Sequence, residues 1–398
     1  MCQTSNEKIE REGIVKNKYP LFVHLFRDNI FIDTIIQQFI DLEIESKFLC
    51  YSKTGSVNFI KMKKEIEIFN NLEKLGKFIK NMPQETVFFL HSRCFSYIYI
   101  NKYLKKFRVV WSTWGGDIYK DNRELLSLNL LSIPMYKDKT RRYECWNKPI
   151  KERVKDIIRY IVYYFPSKKF YASMQYISCV LPNEFELLKE KKESFVPIPL
   201  RYLKQETYKF QLEKKEIISQ KKILINNSGA ITGNHVDILY HIKDFIDEST
   251  IIYIPFSYGG TEKYYNFLQT EIKKMKLEKN VIFLKEFLEY EEYLKLLSQC
   301  TIAIFGHIRQ QAIGNVLLML RLRAKVFFFE DSISYKYFNK IGIQVFDLIR
   351  DFNNEIIKTC DTIDEDITKK INEISNYETY LIDFKKSLSF FDQSHSCQ

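Results

Sequence analysis

Six short apolar runs, at residues 222–225, 251–254, 281–284, 301–305, 325–329 and 343–346, recur through the second half of the chain. Between them lie helical patterns at 235–245, 262–275, 290–300, 309–323 and 334–341. Strands separated by helices of about ten to fifteen residues do not pair as hairpins; each returns by a crossover, so they run parallel with helices on both faces of the sheet. The first half keeps the same rhythm less regularly, with strand patterns at 21–26, 47–51, 86–91 and 108–112 and helical ones at 31–42, 72–81 and 95–106. A chain of 398 residues exceeds what one core fills, and the charged stretch 201–222 has linker composition. The expectation is an α/β protein of two doubly wound domains, 1–200 and 223–360, joined by the linker 201–222 and followed by a helical tail, 361–398. Ligands of such sheets collect outside the carboxyl ends of the strands, so two domains with facing edges predict a cleft.

The loops at those edges carry the chemistry. The first strand of the second domain runs into "INNSGAITGNH", where Asn227, Ser228, Gly229, Asn234 and His235 lie directly before a helix. Free backbone N–H groups and a helix N-terminus suit an anion there, although Asn, Ser and Gly also make ordinary caps and turns. It is neither a Walker loop nor a dinucleotide fingerprint. The next loop, "IPFSYGG", offers Pro255, Tyr258 and Gly259, and the third, "LKEFLEY", offers Glu286 and Phe287 for a ribose hydroxyl and a base face. In "IFGHIRQQAIGNVLLML", Arg309, Gln310, Gln311, Gly314 and Asn315 fall in the expected first turns of a helix. The macrodipole disfavours a cation at that place unless an anion is bound beside it, so Arg309 points to a diphosphate. Gly314 is expected to let the helix pack closely on its strand.

On the first domain, "VWSTWGGDIY" follows the fourth strand pattern. Trp111 and Trp114 are candidates to stack on a sugar, Gly115 and Gly116 permit close approach, and Asp117 can orient or deprotonate an acceptor hydroxyl. His91, at the end of the neighbouring strand, is a second base candidate.

A net charge of +11 invites negative partners. Eleven Lys or Arg against four acids lie between Lys137 and Lys169. A nucleic-acid-binding module interleaves such residues with base-stacking aromatics, whereas here the site-like loops are neutral and glycine-rich, so no nucleic-acid partner is expected. The amino-terminal segment lacks the apolar core of a signal peptide, and no run is long enough to span a bilayer, which suggests a cytoplasmic protein. Eight scattered cysteines without a C-x-x-C pair argue for a reducing compartment and against a zinc cluster. The acids at 364–366 suit a helix start better than a metal, so neither metal nor cofactor is expected.

Six pieces, "VFFLHS", "VVWSTWGGDIY", "ILINNSGAITGNHVDIL", "YIPFSYGGTEKYYNFL", "LKEFLEYEEYLKLLSQC" and "RQQAIGNVLLML", resemble in order and spacing the TDP-N-acetylfucosamine:lipid II N-acetylfucosaminyltransferases, the 4-alpha-L-fucosyltransferase family (glycosyltransferase family 56). The resemblance covers about residues 20–350. It implies a metal-independent GT-B enzyme with two Rossmann-like domains, the second holding a dTDP-sugar donor and the first an acceptor. The donor would carry a 4-acetamido-4,6-dideoxyhexose. The acceptor would be a polyprenyl-diphosphate saccharide at the cytoplasmic face of the bacterial inner membrane, as in enterobacterial common antigen assembly. The basic region 137–169, with Trp146, Tyr160, Tyr163, Tyr164 and Phe165, then reads as a patch facing an anionic membrane surface. Three positions depart from the family pattern: Ser112 replaces a histidine, Gly116 an alanine and Asn226 a glycine, so a histidine base does not carry over to position 112.

Overall fold

The computed structural model describes residues 19–92, 95–121, 126, 128–146, 148–202, 221–358 and 365–392. Two parallel sheets form. The first contains β1 (Phe22–Phe26), β2 (Ser46–Tyr51), β3 (Ile66–Phe69), β4 (Val87–His91), β5 (Arg108–Ser112), β6 (Tyr176–Ser178) and β7 (Val196–Pro197), in the order β3-β2-β1-β4-β5-β6-β7. The second contains β8 (Lys222–Ile225), β9 (Ile251–Pro255), β10 (Val281–Leu284), β11 (Ile302–Phe305), β12 (Lys325–Phe328) and β13 (Phe346–Asp347), in the order β10-β9-β8-β11-β12-β13. Every registered pair is parallel. Central strands such as FVHLF, VFFLH and IAIF are buried at every position, as sheets covered on both faces require. The order reverses between β1 and β4 and again between β8 and β11, so each sheet has its crevice at those carboxyl ends.

The periodic segments fold as read except that the run at 343–346 becomes the two-residue strand Phe346–Asp347, and the other departures have local causes. β3, β6 and β7 are short pieces outside the expected strands. The helix expected from 309 begins at Ile313, because Ala312 holds φ +62° and breaks the turn before it. The basic helix expected to end at 165 continues past Pro166 to Ser173. Residues 203–220 of the expected linker lie outside the described residues, as do residue 364 and the side chains of 365, 366 and Trp146. Among the described residues Cys50, Cys179 and Cys300 form no disulfide, and no group of three or more His, Cys, Asp or Glu side chains is placed to hold a metal.

The tail divides its loyalty. Helix Glu365–Ile374 buries Ile367 and Ile371 in the second domain's core, whereas helix Tyr377–Leu388 and Phe391 pack with Phe22, Phe39 and Phe89 of the first. The chain's two passages between domains meet where the Arg201 guanidinium donates to the Ile374 carbonyl at 3.1 Å. There the Tyr380 hydroxyl also donates to Gln38 Oε1 at 2.9 Å.

Candidate active site

The carboxyl edge of the second sheet is a continuous shelf. Thr232 Oγ1, after β8, donates to Gln311 Oε1, after β11, at 2.8 Å. Asn227 Nδ2 donates to the Tyr258 hydroxyl, after β9, at 2.7 Å, and the Tyr258 ring stacks on Phe287, after β10, with centroids 5.9 Å apart and planes 11° apart. Tyr258 is 42% exposed and Phe287 75%, so the pair presents an open aromatic face at the far end of the shelf. Four loops expected to serve one ligand are therefore linked side by side. At the near end, no side chain caps the helix Ile313–Arg321, which leaves its N-terminal amides to solvent or a ligand.

Asn226 accounts for its own departure from the family pattern. Its φ is +58°, the left-handed region that a glycine would enter freely, and its side chain compensates. Nδ2 donates to the Gly233 carbonyl at 2.8 Å and Oδ1 accepts from the Gly306 N–H at 2.9 Å, tying the ends of β8 and β11 together. Gly306, unnoticed in the sequence, is obligatory: a Cβ there would lie 2.2 Å from the Gly233 carbonyl oxygen.

The two domains meet at the tryptophan–glycine loop. Arg309 Nη1 reaches across from the second domain and donates to the Trp114 carbonyl at 3.0 Å and to the Gln310 carbonyl at 3.1 Å, while its Nε, buried, has no partner. Gly115 makes the approach possible: at φ +74°, a Cβ on it would sit 2.9 Å from Arg309 Nη1 and 3.0 Å from the Gln310 oxygen. Beside this contact lies a cavity of about 410 Å³, lined on the first domain by Ser92, Trp114, Gly116, Asp117, Asp121 and Met135, on helix Ile150–Ser173 by Asp156, Arg159 and Tyr160, and from the second domain by Arg309. That volume suits a small organic ligand. Asp117, 5% exposed, accepts from the Trp111 indole N–H at 3.1 Å and the Trp114 backbone N–H at 2.9 Å, which fixes its carboxylate at the cavity wall.

Several expected roles change with placement. Trp111 is fully buried against Phe170, so its indole cannot stack on a sugar; Trp114 is the tryptophan at the cavity. His91 is buried behind the loop and does not line the cavity: its ring nitrogens pair with His24 Nδ1 at 2.9 Å and the Tyr202 hydroxyl at 3.0 Å, and burial pushes it down to about 3, keeping it neutral. Tyr202 also bonds Ser112 Oγ at 2.8 Å and accepts the Trp114 indole N–H, so Ser112 serves this network. Asn234 and His235 face inward. Asn234 donates to the Gly306 and Met135 carbonyls and accepts from the Lys137 N–H, bridging the domains, and His235 holds the Ser228 carbonyl at 3.1 Å. The Gly229 N–H is taken by the Tyr258 carbonyl at 2.9 Å, and Pro255 is buried. Gly259 turns the loop at φ +75°, while Glu286 stands exposed on the shelf beside Phe287. Gly314 does not pack against its strand: a Cβ there would meet nothing within 4 Å, so its value is an open helix start, next to Asn315. The basic region splits as well. Residues 137–146 dock on the second domain, where Asp237 accepts from Lys139, Thr140 and its hydroxyl, and Tyr143 stacks on Phe267 at 3.7 Å.

Sequence reasoning missed Glu184, which opens no motif. It sits at the start of helix Pro182–Lys189, whose Asn183 donates to the Ile333 carbonyl of the second domain at 2.9 Å. Glu184 is fully buried, with the Tyr119 hydroxyl and the Gln310 backbone N–H near its carboxyl but outside strict hydrogen-bond geometry. Burial raises its carboxyl to about 7; Tyr119, Arg309 and Gln310 favour the charged form, and Asp117 opposes it, but desolvation wins. The folded state thus keeps a proton that the unfolded chain releases near 4.5, so stability falls as pH rises from about 4.5 to about 7. Glu184→Gln should flatten that window and raise stability at neutral pH by about 3 kcal/mol at most; parallel pH profiles of the melting temperature for both proteins would refute it.

Solved structures that superpose on this chain include a glycosyltransferase, a UDP-binding protein and a sucrose-phosphate synthase. A glycosyltransferase from Rickettsia africae superposes with a TM-score of 0.57 at 14% identity, covering 94% of this chain and 98% of that one. HepE of Anabaena, in complex with UDP and glucose, gives 0.59 at 11% identity over 93% and 99%. Sucrose-phosphate synthase of Thermosynechococcus elongatus gives 0.61 at 9% identity over 92% and 98%. Two facing Rossmann-like domains with a cross-domain tail are the GT-B fold. Within it, residues 185–378 match the family described as 4-alpha-L-fucosyltransferase, glycosyl transferase group 56. The fold, together with a family match that spans 185–378, supports a fucosyltransferase-like glycosyltransferase.

Proposed function

We propose that the protein transfers a 4-acetamido-4,6-dideoxyhexose of the N-acetylfucosamine type from a dTDP-sugar to a polyprenyl-diphosphate-linked saccharide, in cell-surface glycan assembly at the cytoplasmic face of a bacterial inner membrane. The observation that carries this reading is the meeting of Arg309, at the near end of the second-domain shelf, with the Trp114–Gly115 loop at the cavity. The base lies against Tyr258 and Phe287, and the diphosphate lies along Asn227, Ser228, Gln310 and Gln311 toward the uncapped helix start at Ile313. Arg309 takes the charge of the departing diphosphate. In the cavity the acceptor hydroxyl oxygen bonds to the anomeric carbon as the bond from that carbon to the diphosphate oxygen breaks. The hydroxyl proton passes to Asp117, whose carboxylate is held at the cavity wall by the Trp111 indole N–H and the Trp114 backbone N–H. No step calls for a metal.

The choice of sugar and acceptor draws on the six ordered motifs and the family match over residues 185–378. A second reading, the same chemistry on a uridine-nucleotide sugar, draws on HepE, whose complexes hold UDP and UDP-glucose. The test is transfer by purified protein to an undecaprenyl-diphosphate disaccharide from dTDP-4-acetamido-4,6-dideoxygalactose, set against UDP-, GDP- and other dTDP-sugars. Lipid-linked trisaccharide from the first donor alone is the expected result. Product from a UDP-sugar replaces the donor, and no product from any donor removes the acceptor assignment.

A further inference from the structure

Helix Ile150–Ser173 carries its apolar residues on the outside. Ile150, Val154, Ile158, Ile161, Val162 and Phe165 are between 48% and 80% exposed, and at 100° per residue they fall in one stripe. The opposite side does the packing: Asp156, Arg159 and Tyr160 line the cavity, while Ser167 and Phe170 are buried. A helix on the surface of a globular protein normally shows the reverse arrangement. Of its exposed basic residues, Arg153 and Lys155 flank the stripe on either side and Lys151, Lys168 and Lys169 lie on its face toward the two ends, and the helix holds six basic residues against two acids.

We infer that this stripe seats in one leaflet of an anionic bilayer, with the helix lying in the interface while its inner side walls the cavity. The flanking cations match anionic headgroups and repel a second copy of the same surface, which makes lipid the occupant rather than another protomer. Among the described residues no helix is long and apolar enough to cross a membrane, so the helix lies on the bilayer and does not span it. The attachment is apolar more than electrostatic. Residues 137–146 are docked on the second domain, Lys155 is paired with Glu152 at 2.5 Å, and Lys148 and Arg159 are both paired with Asp156. Because one helix serves both surfaces, a lipid-linked acceptor reaches the cavity from the plane of the membrane; this last step rests on the proposed acceptor, whereas the seating does not.

Flotation of the full chain with phosphatidylethanolamine–phosphatidylglycerol vesicles, without donor or acceptor, tests the seating independently of the sugar. The parent protein should float at about 0.1 M and at about 0.5 M salt, because screening removes headgroup attraction but not apolar burial. The double variant Ile158→Asp, Ile161→Asp should leave roughly tenfold less protein on the vesicles, with the melting temperature and transfer to a water-soluble short-chain acceptor unchanged. Equal flotation of parent and variant overturns the inference, and so does loss of parent binding at the higher salt. A parent that stays off vesicles but sediments as a dimer which the variant splits assigns the stripe to a second copy instead. Failure of the donor panel with flotation intact would remove the proposed substrate and leave the membrane surface standing.

Discussion

Replacing Arg309 with alanine lowers kcat for sugar transfer by about a hundred- to a thousandfold, the loss seen when one fixed donor to a developing anion is removed. The fold survives the change. The guanidinium is desolvated, which holds its pKa below the usual arginine value, and its Nε is unpaired, so without a ligand the side chain stabilises little. Its two bonds go to the carbonyls of Trp114 and Gln310, and the other interdomain contacts, Asn234 on Met135 and Thr140 on Asp237, remain. Lysine restores only part of the rate, since one ammonium cannot hold the Trp114 carbonyl and face a diphosphate with a planar fork. Steady-state kinetics beside a thermal melt decide the matter: turnover within a few-fold of the parent for Arg309→Ala would remove Arg309 from the mechanism. A matching fall in melting temperature would make it a structural residue.

Gly115→Ala should harm both stability and rate. The position is in the left-handed region at φ +74°, where a Cβ costs about 1–2 kcal/mol. The added carbon would also fall 2.9 Å from Arg309 Nη1 and 3.0 Å from the Gln310 carbonyl, so the guanidinium must move or the domains must part. Displacement of a charge-stabilising group by about 1 Å costs about a hundredfold in rate. Gly116→Ala is the control, because a Cβ there meets nothing within 4 Å, and its melting temperature should match the parent's. Indistinguishable melting and turnover for Gly115→Ala and the parent would show that Arg309 does not depend on this close approach.

The sheets were legible because burial on both faces forces unbroken apolar strands, as in KVFF and IAIF, and crossovers force the helices between them. β6 and β7 were not legible, since three and two residues carry no period. Arg309 announced itself through misplaced charge, although it stands in the loop ahead of the helix and not in its first turn. Trp111 and His91 misled because a strand-end residue looks the same in sequence whether it turns to the cleft or into the network beneath it; here His24, Tyr202 and Phe170 decide. Glu184 is invisible for a different reason. Two of the groups that act on it, Arg309 and Gln310, belong to the second domain and lie over 120 positions away in the chain.

The tail helix Tyr377–Leu388 also sets an order of assembly. Phe384, Leu388 and Phe391 are fully buried in a cluster with Phe22, Phe39 and Phe89, so one face of the first domain is built from nearly the first and the last described residues. During synthesis that face of the amino-terminal sheet stays uncovered until residue 391 has left the ribosome. The second domain, whose strands run from Lys222 to Asp347, can close its own sheet before then. The domain made first is therefore the one finished last, and the nascent chain is most exposed to aggregation through Phe22, Phe39 and Phe89.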